Sequence, residues 1–183
     1  MMTENTYIIS DELIMRPLQE KDAEEIFAVI DSNRTILRNW LGWVNNVKSV
    51  EDSKKFVIQS IEGFSKNKVF RFGIFSQQRY AGMIDLDDVS LEHKRAIVGY
   101  WLGKEFQRRG IMTEALKKLL EFGFEKLDLN RIEIHIAPNN IKSRAIPEKL
   151  GFVQEGRLRQ FEWLFDHFED HLVFSMLKSE WQK

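Results

Sequence analysis

A basic segment with the chemistry to hold an anion lies mid-chain, between a predicted strand and a predicted helix. The strand, Ile97–Leu102, is rich in β-branched and aromatic residues. Gln107–Gly110 (Gln-Arg-Arg-Gly) leads into apolar residues at i, i+3 and i+4 spacing over Met112–Leu127, typical of a helix. A helix N-terminus has unpaired N–H groups and partial positive charge, so this order favours a phosphate or pyrophosphate. A plain connection with two solvated arginines fits the spacing equally well.

A second polar segment follows the next predicted strand, Arg131–Ala137. Asn140 is placed to cap a helix in which Ser143 is the third residue and Gly151 follows the last turn. Pro147, inside this helix, cannot bond to the carbonyl of Ser143, so we expect a kink that loosens the backbone there. Helix capping alone also explains Asn140 and Ser143.

Glu162 is the carboxylate of interest in the C-terminal segment 153–177, which predicts a hairpin. It lies between Phe161 and Trp163, and burial among apolar groups would raise the pKa of its carboxyl toward that of a general base. Strand alternation alone would instead make Glu162 an outward-facing charge.

Potential metal ligands are present but poorly spaced. Asp85, Asp87 and Asp88 alternate at a predicted strand end and lack the pattern of a calcium loop. His167 and His171 are four residues apart, a spacing that converges on a metal from a helix but not from a hairpin. We therefore predict no metal site and interpret both histidines as surface residues.

Composition bounds the class of protein. The chain has 183 residues, 43% of them hydrophobic, which suits one globular domain spanning residues 1–183. A formal net charge of −1 argues against general nucleic-acid or anionic-membrane binding. The absence of cysteine excludes disulfides, thiolate metal sites and a cysteine nucleophile. No apolar run is long enough for a membrane span and no signal-peptide pattern is visible, so we expect a cytoplasmic protein.

The two polar segments together resemble a known family. Gln-Arg-Arg-Gly-Ile-Met-Thr resembles the Q/R-x-x-G-x-G/A acetyl-CoA loop of the GNAT N-acetyltransferase superfamily, with Met112 in place of the last Gly or Ala. Gly-Ile-Met-Thr is typical of the RimJ/RimL-type subgroup, which acetylates N-terminal α-amines of ribosomal proteins. Asn140–Phe152 (N-x-x-S-R-x-x-P-E-K-x-G-F) resembles that subgroup's second acetyl-CoA motif. The chain is identified as a member on these motifs, which cover much of residues 97–156.

The resemblance implies an α/β fold and a set of cofactor contacts. The expected GNAT fold has a mixed, mostly antiparallel, seven-stranded sheet with splayed central parallel strands and helices on both faces. Acetyl-CoA is implied as co-substrate, without a metal. Its implied contacts are Tyr100, Trp101, Leu102, Gln107, Arg108, Arg109, Gly110, Ile111, Met112, Thr113, Asn140 and Ser143.

Catalytic roles are implied in the same way. The counterpart of Asn140 contacts pantetheine, and that of Ser143 lies near the CoA sulfur, where it could protonate the thiolate. A backbone N–H on the central strand, here that of Leu102, would stabilise the oxyanion. Glu162 matches a candidate base that acts on the acceptor amine directly or through water. Direct transfer in a ternary complex then needs no covalent intermediate.

The acceptor side of the site is less defined by the sequence. Trp40 and Trp43 are spaced to share a helical face, where core packing is the default interpretation and a wall of the acceptor cleft the functional one. A protein N-terminus is the acceptor that the resemblance implies, and a homodimer the implied assembly. An anionic acceptor pocket would instead favour a polyamine, amino sugar or antibiotic amine. An acetyl-CoA sensor without turnover is the alternative outside enzymes.

Overall fold

The computed structural model describes residues 6–181, which form one mixed sheet with helices on both of its faces. The elements, in chain order, are β1 Tyr7–Ser10, β2 Leu13–Pro17, α1 Ala23–Leu37, α2 Val50–Ser65, β3 Phe70–Ser76, β4 Arg79–Ser90, β5 Arg95–Leu102, α3 Ile111–Glu121, β6 Arg131–Ile136, α4 Ile141–Leu150, β7 Val153–Leu164 and β8 His167–Leu177.

The sheet has the predicted mixed character but eight strands in the described residues rather than seven. The strand order is β1-β2-β3-β4-β5-β6-β8-β7, and β5-β6 is the parallel pair among antiparallel neighbours. The count of seven, which came from the resemblance, was one too low: β1 is folded back by the turn at Asp11-Glu12 and pairs with β2 as a separate edge strand.

The central parallel strands separate toward their carboxyl ends, as predicted. Pairing between β5 and β6 runs from Arg95 opposite Arg131 to Val98 opposite Ile134 and then stops. The N–H of Gly103 donates to the carbonyl of Ala81 on the β4 side at 2.9 Å. In an antiparallel pair, hydrogen-bonded positions alternate with positions whose backbone groups point away from the partner strand. Leu102, which precedes Gly103, therefore turns its N–H and C=O away from β4 and into the gap between β5 and β6.

Two apolar cores lie on opposite faces of the sheet. One contains Ile84, Val98 and the buried side of α3, against which α4 also packs. The other contains Met83 of β4 and Trp101 of β5, together with the buried side of α1 and Val57 of α2. Alternate strand residues therefore serve the two cores, which confirms the prediction of helices on both faces.

Gly82 brings β4 against the end of β5. A Cβ at this position would lie 2.2 Å from the carbonyl oxygen of Trp101 and 2.9 Å from Cα of Leu102. The residue sits beside an irregularity in the pairing of β3 with β4, at Ile74-Phe75. A larger residue would push away the strand end that borders the gap.

Two further findings concern residues 6–181 as a whole. None of their helices is both long and apolar enough to cross a bilayer. Within the same range, no three or more His, Cys, Asp or Glu side chains lie together as a potential metal site.

Candidate active site

A cleft of about 340 Å³, here called the large cleft, opens at the gap between β5 and β6. It is bordered by the end of β5, the start of α3 and the start of α4. The predicted cofactor residues that line it are Tyr100, Trp101, Leu102, Gln107, Arg108, Gly110, Ile111, Met112, Thr113, Asn140 and Ser143. Arg109 is the exception: it is exposed and does not line this cleft.

The loop before α3 is shaped to receive an anion. Gly110 caps the helix with a left-handed backbone (φ 76°), and Arg108 is also left-handed (φ 61°). No atom lies within 4 Å of the place where a Cβ on Gly110 would be, so the space above the helix end is open. Neither Arg108 nor Arg109 forms an ion pair with any described residue. Free N–H groups, an unpaired cation and open space fit a pyrophosphate.

Gln107 occupies the gap between the splayed strands. Its Nε2 donates to the carbonyl of Leu102 at 3.1 Å. Since the N–H and C=O of one strand residue point the same way, the Leu102 N–H also faces the gap. The donor assigned to the oxyanion from the resemblance therefore lies at the cleft.

Tyr100 joins β5 to α4 through Ser143. The Tyr100 hydroxyl donates to the Ser143 carbonyl at 3.0 Å, and Ser143 Oγ donates to Tyr100 Oη at 3.1 Å. That carbonyl has no helical N–H donor because Pro147 stands four residues later. Burial raises the pKa of Tyr100, so its hydroxyl remains a donor at neutral pH.

The first turn of α4 has the predicted cap. Asn140 Oδ1 accepts the N–H of Ser143 at 3.3 Å, and Gly151 ends the helix in the left-handed conformation (φ 83°). The helix runs from Ile141 to Leu150 with Pro147 inside it. The backbone at Ser143 is thus held by Asn140 and Tyr100, where the sequence predicted loosening.

A second cavity of about 170 Å³, here called the acidic cavity, adjoins the large cleft. Both are lined by Trp40, Leu41, Tyr100, Asn140 and Ser143, so they meet where Tyr100 contacts Ser143. Glu162 and Glu169 line the acidic cavity, and among the described residues no Lys or Arg does. The arrangement suits a cationic guest.

Glu162 lies in this cavity for a reason other than the predicted one. Phe161 and Trp163 are 53% and 56% exposed, and the Glu162 side chain is itself 39% exposed, so the expected burial between them is wrong. The outward alternative is also wrong, because Glu162 lines the cavity beside the buried Leu164. Here residues 159–161 of β7 oppose the single residue Asp170 of β8, a bulge next to the cavity.

Both predicted acceptor tryptophans line the acidic cavity, although not from one helix. α1 ends at Leu37, Trp40 lies in the following turn, and Trp43 belongs to a 3-10 turn, Gly42–Asn46. The Trp43 ring centroid is 6.0 Å from that of Trp101, which is buried in the core. Core packing and cleft wall are combined in this Trp43–Trp101 pair, whose ring planes are tilted by 55°.

His171 is a site residue that the sequence missed. It was interpreted as a surface residue, yet its side chain is 13% exposed and its Nε2 lies 3.2 Å from Glu162 Oε2. Glu169 was also missed. Neither spacing nor composition marked them, because their place depends on the pairing of β7 with β8.

A buried carboxylate lies behind the acidic cavity. Asp85 Oδ1 accepts the N–H of Gly99, a lining residue, at 2.9 Å. Burial raises the pKa of Asp85 to about 7, with Asp87 adding to the rise, while Arg71 and the Gly99 N–H oppose it.

Comparison with known proteins agrees with this geometry. Residues 12–153 match the family model described as an acetyltransferase (GNAT) domain. The chain belongs to the GNAT acetyltransferase family. It is thus an N-acetyltransferase, and acetyl-CoA is the acyl donor.

Individual GNAT proteins resemble this chain over nearly its whole length. The putative ribosomal N-acetyltransferase YdaF of Bacillus subtilis (strain 168) is 33% identical over 175 residues, covering 95% of this chain and 96% of that protein. The structure of RimL, a ribosomal L7/L12 alpha-N-protein acetyltransferase in complex with coenzyme A, superposes with a TM-score of 0.91 at 26% identity, covering 94% and 98%. The self-immunity acetyltransferase MccE, in complex with acetyl-CoA and AMP, gives 0.91 at 28% identity, covering 96% and 97%.

Proposed function

We propose that this enzyme acetylates the N-terminal α-amine of a protein, with a ribosomal protein as the acceptor class. The observation that carries the proposal is the meeting of the large cleft and the acidic cavity at Tyr100 and Ser143. One cleft suits a pyrophosphate-bearing donor and the other a cationic amine. The names of YdaF and RimL support the ribosomal acceptor, which would place the enzyme in the cytoplasm.

Donor binding falls to the start of α3. Acetyl-CoA supplies the activated acetyl group. Arg108 and the first N–H groups of α3 would hold its pyrophosphate, and Gly110 leaves the approach open. Asn140 and Ser143, on the opposite wall, would line the path of the pantetheine arm.

Residues of the site could accept the proton of the acceptor amine, stabilise the oxyanion and protonate the leaving thiolate. An α-amine with a pKa near 8 is mostly protonated at neutral pH, so Glu162 would take the proton that must leave before attack. The Leu102 N–H would stabilise the developing oxyanion. Ser143 Oγ would pass its proton to the departing thiolate and receive in turn the proton that the acceptor nitrogen releases as the amide forms. The hydrogen bond from the Tyr100 hydroxyl to the Ser143 carbonyl holds Ser143 in place. No enzyme nucleophile is needed, which is why we propose direct transfer in a ternary complex.

A small polyamine or amino sugar is the second candidate acceptor. The specific observation in its favour is the carboxylate lining of the acidic cavity, since Glu162 and Glu169 could bind more than one ammonium group. In the protein-acceptor proposal, Glu169 instead adds attraction for a single amine.

An acceptor panel tests the proposal. The enzyme is incubated with acetyl-CoA and, separately, with N-terminal Ser, Ala or Met peptides, purified ribosomal proteins, spermidine and an aminoglycoside. Thiol release is followed, and products are mapped by mass spectrometry. We expect acetylation of α-amines. Turnover on spermidine or the aminoglycoside alone would replace the acceptor, and coenzyme binding without any turnover would indicate a sensor.

We also propose that the enzyme is a homodimer, with the β7-β8 hairpin at the interface. Phe161, Trp163 and Phe168 are large apolar side chains left exposed on this hairpin, and β7 is an edge of the sheet. Light scattering on the wild type and on Trp163→Asp tests this: the wild type is expected at twice the chain mass and the variant at the chain mass.

A further inference from the structure

A third cavity of about 470 Å³, here called the basic pocket, lies next to the acidic cavity. Leu164 of β7 lines both cavities. Arg34 of α1 and Arg38, which directly follows α1, line the basic pocket, and none of its lining residues in the described part of the chain is Asp or Glu. The walls of the two neighbouring cavities are therefore opposite in charge.

The two arginines differ in how far their guanidinium groups are already used. Arg34 donates to the carbonyls of Val44 and Val47, at 2.8 Å each, and to Asp31 Oδ1 at 2.9 Å. It therefore ties the segment after α1 to the helix. Arg38, by contrast, forms no ion pair or side-chain hydrogen bond with any residue in the range 6–181.

Arg38 is nevertheless held in a defined place by Phe165. Its Cζ lies 4.7 Å from the centroid of the Phe165 ring, and both residues line the basic pocket. Phe165 has a left-handed backbone (φ 60°) in the turn between β7 and β8, a conformation that favours glycine or asparagine. The ring therefore stands where the backbone alone would select a smaller residue, and its contact with Arg38 is a cation–π interaction.

The other polar groups of the basic pocket are also available to an anion. Asn39 and Asn45 line it, and the side-chain amides of both form no hydrogen bond with any described residue. The carboxylate of Asp166 is within electrostatic reach of Arg38, but its Oδ1 contacts His167 Nδ1 at 2.7 Å and it does not line the pocket. One unpaired guanidinium beside two unpaired amides suits a carboxylate ligand.

The spacing along β7 indicates which part of an acceptor would reach the basic pocket. Glu162 lines the acidic cavity, Leu164 lines both cavities, and Phe165 lines the basic pocket but not the acidic cavity. Since a strand rises about 3.3 Å per residue, the basic pocket begins about 7 to 10 Å beyond Glu162. Gly42 leaves this boundary uncrowded, because a Cβ there would lie 3.7 Å from Leu164 Cδ1 and 3.8 Å from Glu162 Oε1. An extended polypeptide whose N-terminal amine lies at Glu162 therefore has its third or fourth residue at the basic pocket.

We propose that the basic pocket is a specificity subsite for an Asp or Glu side chain at the third or fourth residue of the acceptor polypeptide, with Arg38 as its ionic partner. The inference rests on the proposed function, in which the N-terminal α-amine occupies the acidic cavity. Neither spermidine nor an aminoglycoside carries an anionic group for this subsite. The basic pocket therefore favours a polypeptide over these small cationic acceptors.

The test uses peptides with N-terminal serine that differ only in having Asp, Asn or Lys at residue 3 or at residue 4. For the wild type we expect kcat/KM to be about 5-fold higher with Asp than with Asn at one of these positions, and lowest with Lys. In Arg38→Glu the order should reverse, with Lys best, while the KM for acetyl-CoA stays unchanged. Fluorescence anisotropy of the same peptides, labelled at the C-terminus and mixed with CoA-bound enzyme, should give the same two orders.

Lys149→Ala is the control for net charge. Lys149 is an exposed residue near the end of α4 that lines none of the three cavities. Its replacement removes one positive charge from the protein, as Arg38→Ala does, and should keep the wild-type order of the peptides. If Arg38→Ala lowers kcat/KM equally for all peptides, Arg38 only packs on Phe165 and the subsite is overturned.

The remaining outcomes separate this inference from the function on which it rests. Equal acetylation of the α-amines of all peptides by the wild type would overturn the subsite and leave the proposed function standing. Turnover on spermidine with no α-amine product from any peptide would overturn the proposed function, and the subsite with it. AMP serves as a phosphate probe. Arg38-dependent inhibition by AMP, without any preference among the peptides, would assign the pocket to a phosphate instead.

Discussion

The hydroxyl of Tyr100 donates to the carbonyl of Ser143 at the position that a helical N–H would otherwise fill. Pro147 leaves that carbonyl without its ordinary donor, and the Ser143 hydroxyl in turn donates to Tyr100. A helix-breaking residue thus gives a strand side chain access to the first turn of α4. Ser143, whose side chain is proposed to protonate the leaving thiolate, is consequently hydrogen-bonded to β5, the strand that borders the large cleft.

Tyr100→Phe should slow the transfer without weakening donor binding. The ring remains, but both hydrogen bonds to Ser143 are lost, so we expect kcat to fall on the order of 10-fold. The KM for acetyl-CoA should stay unchanged. Steady-state kinetics at saturating acceptor measure both quantities. Tyr80→Phe is the matched control: its buried hydroxyl has no hydrogen-bond partner among the described residues, so activity should not change. Equal kcat values for both variants would remove Tyr100 from the account.

Gly110→Ala should weaken acetyl-CoA binding through the backbone at the start of α3. A residue with a Cβ loses about 1 kcal/mol of stability in the left-handed conformation that Gly110 adopts. The loop of the variant can avoid this strain by changing its backbone conformation, which would turn its N–H groups away from the cleft. We expect a KM for acetyl-CoA several-fold higher. Gly151→Ala provides a control with similar strain (φ 83°) and equally open surroundings at the far end of α4. Gly151→Ala should lower the melting temperature comparably and leave the KM for acetyl-CoA unchanged. If both variants raised that KM, instability alone would be responsible.

Asp85 should make the protein less stable as the pH rises from 5 to 8. Its pKa is raised by burial from 3.8 to about 7, so the folded state binds more protons than the unfolded state between these values. The stabilisation is complete below about pH 3.8 and is lost as the pH rises through 7. We expect a loss of about 2 kcal/mol, or about 5 °C in melting temperature, over this window.

Asp85→Asn should remove that pH dependence and melt above the wild type at pH 8. Asp128→Asn serves as a control, because hydrogen bonds from Lys178 and Lys94 hold the pKa of this exposed carboxyl down at about 2. Its stabilising effect is lost only below about pH 4, so the wild-type slope between pH 5 and 8 should persist in the control. Thermal melts across the range decide, and an unchanged slope in Asp85→Asn would contradict the prediction.

Direct transfer predicts intersecting initial-velocity lines when acetyl-CoA and acceptor are varied together. The chain has no cysteine, and the large cleft and the acidic cavity share a wall at Tyr100 and Ser143, where donor and acceptor can meet directly. Intact-mass spectra of enzyme mixed with acetyl-CoA alone should show no added acetyl group. Parallel lines, together with an acetylated enzyme, would show a double displacement instead.

Capping and turn residues predicted those parts of the site that lie within a single segment of the chain. Asn140 as cap, Ser143 in the first turn and Gly151 at the end of α4 are all as predicted, because each depends only on neighbouring residues. The same holds for the run that ends in Gly110 before α3. Arg109, which the resemblance also assigned to the cofactor, is exposed and does not line the large cleft.

Contacts across the fold could not be predicted in the same way. The sequence showed that Pro147 leaves a carbonyl free but not that Tyr100, on β5, supplies the donor. It marked Glu162 for the wrong reason, since its place depends on the bulge in β7 and on its pairing with β8. His171 depends on that same pairing, which no spacing along the chain reveals.

One peptide tests the central claim most directly. It carries a free N-terminal serine and one internal lysine, so that an α-amine and an ε-amine compete for the same enzyme and the same acetyl-CoA. Fragment-ion mass spectrometry locates the acetyl group. We predict acetylation of the α-amine by the wild type and its loss in Glu162→Gln. Acetylation of the lysine alone, or an α-amine product that persists at the wild-type rate in Glu162→Gln, would contradict the account.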